Sequence, residues 1–85
     1  MGNNIDAKLK RIVIKLADSL VKSEEVNDNS HLISDFGYDS IQIIQLVVEI
    51  EKEFKMEFDD EDLTNETFLT YGSLKKTLAK KLKNK

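Results

Sequence analysis

The sequence contains no cysteine, no proline and no tryptophan, one histidine and three glycines. Without cysteine there is no disulfide framework and no thiolate metal site, and His31 alone does not supply a histidine-built zinc centre. Without proline, and with so little glycine, the periodic stretches meet few backbone obstacles to helix formation, which points to an all-α fold. No run approaches the roughly 20 consecutive apolar residues that cross a bilayer, and the N-terminus lacks the apolar core of a signal peptide. A cytoplasmic protein without a membrane partner is expected. Met1-Gly2 opens like a lipidation signal, but Asp6 stands where that motif requires Ser or Thr.

What is present is a chain of 85 residues, 40% hydrophobic and 34% charged, with a mean hydropathy of −0.41. That composition suits a globular domain, and the length suits only one, spanning residues 1–85. The net charge of −3 hides a partition. Residues 1–22 carry five cations against two acids (+3), and residues 71–85 carry six lysines and no acid (+6). Between them, residues 23–70 hold fourteen acids against Lys52 and Lys55, a balance of −12. Such a block repels phosphates and favours basic protein surfaces, so protein partners rather than nucleic acid are expected. The lysines of the ends read as solvated helix faces.

Asn4 is placed to cap a helix whose Ile5, Leu9, Ile12, Val13, Leu16, Ala17 and Leu20 recur at three- and four-residue spacing. From Lys22 to Asp39 the period disappears, and a long loop is expected, anchored by Val26, Leu32, Ile33 and Phe36, with His31 a plain loop residue. Ser40 to Phe54 is the most apolar segment and predicts a central helix covered on most sides by others. Lys55 to Phe58 reads as a link, and Asp60 to Asn65 as a short helical turn around Leu63. Asp59-Asp60-Glu61-Asp62 lacks the glycine and glutamate spacing of an EF-hand, so calcium is not expected. Thr70 caps a last helix with Tyr71, Leu74, Leu78 and Leu82 on one face. The sum is three long helices and one short one.

No catalytic set is visible, and an enzyme is not expected: Ser40 has no nearby base in sequence, and there is no glycine-rich phosphate loop. What stands out is Phe36-Gly37-Tyr38-Asp39-Ser40-Ile41, a glycine turn that delivers a serine to the start of the central helix. Ordinary N-capping explains these residue types. The positive end of the helix dipole would also accommodate a phosphodiester on the serine hydroxyl.

With these residues the chain resembles the acyl carrier protein family, including the peptidyl carrier domains of nonribosomal peptide synthetases. Asp39-Ser40-Ile41 is similar to that family's Asp-Ser-Leu/Ile attachment motif, set after Phe36-Gly37. Glu49-Ile50-Glu51-Lys52-Glu53-Phe54, the acidic link Phe58-Asp59-Asp60-Glu61 and Phe68-Leu69-Thr70-Tyr71-Gly72-Ser73-Leu74 extend the likeness over about residues 5–82. The resemblance implies a four-helix bundle in which a phosphopantetheinyl transferase esterifies Ser40 with 4'-phosphopantetheine donated by coenzyme A. It implies no catalysis by the chain itself, but a shuttle for acyl or aminoacyl thioesters in fatty acid, polyketide or nonribosomal peptide biosynthesis. Partners would be that transferase, an acyl- or aminoacyl-loading ligase, and synthase or transferase enzymes with basic surfaces, met by a monomer.

By the same resemblance Asp39 helps the transferase bind magnesium, no metal belongs to this chain, and Ile41 is read both as a partner contact and as core. At Ile44 burial is the better reading, and Val48 follows at helical spacing. Glu49 and Glu53 are expected to face solvent, with partner docking as a second role. Three departures stand out. The link after Phe58 lacks the family's common proline, Tyr38 occupies a position where small residues are frequent and is expected to alter the surface beside the arm, and the basic ends suggest a carrier with its own partner enzymes. The start at Met1 and the absence of linker-like composition favour a discrete protein. Two other readings stay open: an unmodified helical module that docks a basic partner on its acidic face, and a small bundle that binds a ligand between helices.

Overall fold

The computed structural model describes residues 4–17 and 21–83. The first amphipathic stripe becomes helix α1, Asn4–Leu16, with Asp6 in its first turn and Lys15 in its last, each matched to the dipole. Leu9, Ile12 and Val13 are buried, and Ile5, Leu16 and Ala17 pack against the core they begin. Leu20, the expected end of the stripe, lies outside the described residues.

Helix α2, Leu32–Phe36, corrects the expectation of a loop from Lys22 to Asp39. Five residues are too few to display a 3.6-residue period, so the end chemistry has to define this element. Its first turn is closed by Asp35, whose carboxylate accepts the His31 N–H at 2.7 Å. Its C-cap is Gly37 in the left-handed region (φ 74°), where a side chain would be strained. Leu32 and Phe36, one turn apart, anchor it in the core. The fourth helix of the bundle is therefore α2. The segment after Asp60, expected to supply it, forms only a 3-10 turn over Asp60–Asp62, and Leu63 stays exposed.

His31 is likewise not a plain loop residue. It pairs with Thr70 in an antiparallel bridge, and the Tyr71 and Gly72 N–H groups donate to the carbonyls of Ser30 and Asp28 at 2.8 and 3.0 Å. The segment before α2 is thus stitched to the start of α4, Tyr71–Lys83. Gly72 is required there, since a Cβ would lie 2.7 Å from the Asp28 carbonyl oxygen. Thr70 caps α4 as expected: its hydroxyl accepts the Ser73 N–H at 3.1 Å, and the Ser73 hydroxyl accepts the Thr70 N–H at 3.2 Å. Tyr71, Leu74 and Leu78 bury one face of the helix.

The central helix, α3, spans Ser40–Phe54 and ends on Lys55 in the left-handed region (φ 53°). Leu46 and Ile50 are fully buried and Ile43, Val47 and Phe54 pack beside them. The expected coverage on most sides is not found. Ile41 and Ile44 are each 64% exposed and Val48 is 47% exposed, which overturns the burial expected of Ile44. At about 100° per residue these three project roughly 120° or more from the Leu46–Ile50 face, and α2 is too short to cover them. After α3, Met56 and Phe58 return to the core, with the Phe58 and Phe68 rings edge to face at 6.5 Å. Among the described residues no helix is long and apolar enough to cross a membrane.

Three outcomes follow from these contacts. Tyr38→Phe, which strips the buried Val13 carbonyl of its 2.9 Å hydroxyl donor, lowers stability in urea by about 1–2 kcal/mol while leaving the helical circular dichroism intact. Gly72→Ala costs about 1–3 kcal/mol in the same assay, because the new methyl group meets backbone rather than a flexible side chain. The third concerns Asp6, whose carboxyl is held below the ordinary carboxylate range, first by the Tyr71 hydroxyl donating at 2.7 Å and, against the cost of burial, by Lys75 and Lys10. A depressed folded value gives stability above the unfolded pKa of about 4 that is lost as pH falls through the folded value. Acid titration of parent and Asp6→Asn, followed by circular dichroism, shows the shallower loss below that pH in the variant.

Candidate functional site

An α-helix leaves its last four carbonyls without intrahelical donors. In α1 these belong to Val13 through Leu16, and residues around Ser40 supply two of the missing donors. The Tyr38 hydroxyl donates to the Val13 carbonyl at 2.9 Å, and Gln42 Nε2 donates to the Leu16 carbonyl at 2.7 Å. A third, Ile14, is met by the Ala17 N–H at 3.2 Å. Tyr38 is therefore not a surface residue beside Ser40. Gly37 turns the chain so that its neighbour's ring points inward, where it is 2% exposed and where burial pushes the phenol pKa up.

Asp39 then caps α3 reciprocally with Gln42. Its Oδ1 accepts the Gln42 N–H at 2.8 Å, and Gln42 Oε1 accepts the Asp39 N–H at 3.1 Å. Gln42 thus uses both ends of its amide, one to close the cap and one to hold α1. Ser40 is the first residue of the helix and is exposed. Among the described residues nothing hydrogen-bonds its hydroxyl, which projects at the positive end of a fifteen-residue helix.

Ser40 also stands at the rim of an open apolar groove of about 810 Å³, bounded by α3, the end of the link and the start of α2. Ile43, Ile44 and Val47 form one wall, and Ile33, Leu63 and Leu69 the other. The second wall was not legible in the sequence as a surface, because its residues come from three segments with no shared period. The signal available was only that Leu63, Leu69 and Ile33 are large apolar residues outside the helical stripes.

The other residues singled out in the sequence divide into two groups. Asp39 and Ile41 flank Ser40 directly. Glu49 and Glu53 are turned toward α1, at 3.9 Å from Lys15 and 3.7 Å from Lys8, with side chains about one-third and two-fifths exposed. Asp59 and Asp62 of the acidic link are bridged by Lys81, and Asp62 is held below the ordinary carboxylate range first by the Asp59 N–H. No group of three or more His, Cys, Asp or Glu among the described residues could hold a metal ion. An exposed, unengaged hydroxyl at a helix N-terminus, beside an apolar groove, suits esterification by a phosphate that carries a long flexible arm.

Comparison with known proteins agrees with this geometry. The family model described as a phosphopantetheine attachment site matches residues 7–78. An acyl carrier protein of Bradyrhizobium sp. (strain ORS 278) is 37% identical over 82 residues, 96% of this chain and 99% of the relative. One of Clostridium perfringens (strain SM101 / Type A) is 41% identical over 68 residues, 79% of this chain and 83% of the relative. Among solved structures, a chain in the crystal structure of Bradyrhizobium japonicum glycine:[carrier protein] ligase complexed with glycylated carrier protein superposes with a TM-score of 0.75 at 21% identity, over 88% of this chain and 99% of that one. The chain therefore belongs to the acyl carrier protein family, as a non-catalytic carrier whose prosthetic group is a covalently attached 4'-phosphopantetheine.

Proposed function

We propose that Ser40 is the attachment residue and that the chain carries acyl or aminoacyl groups as thioesters between enzymes of a biosynthetic pathway. The observation that carries this reading is the position of Ser40: exposed, first in α3, and at the rim of the groove. When attached, the group supplies the thiol that a chain without cysteine lacks. In the transfer the Ser40 hydroxyl oxygen would form the new bond to the phosphorus that bears the pantetheine, the phosphoanhydride bond of coenzyme A would break with adenosine 3',5'-bisphosphate as the leaving group, and the hydroxyl proton would pass to the transferase. The dipole of α3 stabilises the resulting phosphodiester charge. Asp39 keeps Oδ1 on the cap and so holds its carboxylate in a fixed place beside Ser40, where the family resemblance has it meet the transferase's magnesium.

Fatty acid, polyketide and nonribosomal peptide pathways all use such a shuttle. The groove favours cargo with an apolar portion, since most of the side chains that line it are apolar. The glycylated carrier in the solved structure supports aminoacyl loading by a ligase as a second use of the same design. The expected protein is a single domain over residues 1–85 that works as a monomer.

Intact mass after incubation with coenzyme A, magnesium and a broad-specificity phosphopantetheinyl transferase tests the assignment. The parent gains one phosphopantetheine and Ser40→Ala gains none. Equal gain on both would place the attachment elsewhere. No gain on a folded parent, with a control carrier modified in the same tube, would leave a dedicated transferase or the unmodified interaction module.

A further inference from the structure

Ion pairs divide the lysines of α4 into two sets. Lys75 pairs with Asp6 and Asp28, and Lys81 with Asp59 and Asp62, so these two hold the helix to its neighbours. Lys76, Lys80 and Lys83 are exposed and have no ion-pair partner among the described residues. Lys80 acts on Asp62 only at longer range. At about 100° per residue the three fall roughly 150–170° from the centre of the buried Tyr71, Leu74 and Leu78 face, within about 60° of one another and over about 10 Å of helix. No acid occurs in α4. Its outward strip is therefore wholly cationic, bordered by the small residues Gly72, Ser73 and Ala79. Helix stability does not explain the arrangement. Like charges four residues apart, as in Lys76 and Lys80, disfavour a helix, and the dipole favours Lys80 and Lys83 in the last turn but not Lys76 before it.

We propose that Lys76, Lys80 and Lys83 form a docking strip for a protein surface rich in Asp and Glu, separate from the Ser40 site. Charge complementarity selects an anionic partner, and the rest of the chain selects a protein among anionic partners. A nucleic acid extends its phosphates well beyond a strip this short, toward residues 23–70, whose balance of −12 repels them. A lipid surface is disfavoured because the outward strip carries no large apolar side chain to enter it, and three cations fall short of the clusters of about four to eight that hold a chain to anionic lipid. A carboxylate-rich protein surface matches both the length and the sign of the strip. The acids that reach α4, namely Asp6, Asp28, Asp59 and Asp62, are taken up by Lys75 and Lys81, which lowers their opposition to such a partner. None of residues 71–83 lines the groove beside Ser40. A partner seated on α4 therefore leaves Ser40 open to a second one, and the inference holds whether or not Ser40 is modified.

The experiment is an amide-shift titration of the isotope-labelled full chain with decaglutamate, a probe that presents carboxylates alone. It compares the parent, the strip variant Lys76→Gln/Lys80→Gln/Lys83→Gln, and Arg11→Gln/Lys22→Gln/Lys52→Gln, which removes the same charge from exposed cations elsewhere. Glutamine keeps helix propensity close to that of lysine, and circular dichroism confirms that all three fold alike. The expected result is saturable shifts centred on Lys76 to Lys83, with Ser40 and Ile41 unmoved. Affinity falls about fivefold or more in the strip variant and stays within about twofold of the parent in the control variant. Raising sodium chloride from about 50 to about 500 mM weakens parent binding by about fivefold or more. Equal losses in the two variants would reduce the effect to net charge and overturn the strip. So would absence of saturable binding to the parent at low salt, or shifts at Ser40 as large as those of α4. Cosedimentation of the parent with phosphatidylserine vesicles, or retention on duplex DNA, that the strip variant loses would assign the lysines to a membrane or a nucleic acid and also overturn the proposal.

Discussion

The structure turns on the unsatisfied carbonyls at the end of α1. A helix that stops inside a small domain needs donors for them, and here Tyr38 and Gln42 provide two, from either side of Ser40. Satisfying one helix end thereby fixes the start of another. Gly37, the buried phenol and the reciprocal cap of Asp39 are parts of this one arrangement: the glycine aims Tyr38 inward, and the cap leaves Gln42 Nε2 to reach α1. Ser40 is left as the residue of the turn with no structural duty, on a rigid base. That is the physical condition for a residue that is handled by other proteins.

The same docking of α3 on α1 separates the surface of α3 into zones. The α1 side collects Glu49 and Glu53 against Lys15 and Lys8. The inner side buries Leu46 and Ile50, and the outer side shows Ile41, Ile44 and Val48. Exposed ion pairs of this kind contribute about 0–1 kcal/mol each, so they set the local charge pattern more than the stability. Part of the acidic middle is answered by the basic ends within the fold, as Asp28 is by Lys75, and Asp59 and Asp62 by Lys81.

Helices α1, α3 and α4 were legible because each repeats apolar residues over three turns or more, and Thr70 was legible as a cap from residue type alone. The Asp39-Ser40-Ile41 turn was legible through its resemblance to a family motif. Helix α2 was not, since one and a half turns carry no period and its definition lies in the Asp35 contact to His31 and the φ of Gly37. The inward course of Tyr38 depends on a carbonyl twenty-five residues away, and the role of His31 and Gly72 on backbone pairing across some forty residues. Ile44 was misread because residue type gives hydrophobicity but not the direction from which a neighbour comes. The groove was hidden for the same reason, its far wall being assembled from separate segments.

Tyr38 and Gln42 together hold the start of α3 on the end of α1. Amide hydrogen exchange along the chain, in the parent and in Tyr38→Phe/Gln42→Leu, tests it most directly. Loss of two hydrogen bonds worth about 1 kcal/mol each predicts exchange faster by about tenfold or more in the first turn of α3 and the last turn of α1, with the centre of α4 changed less. Unchanged exchange at both helix ends, or an equal acceleration through all four helices, would contradict the account.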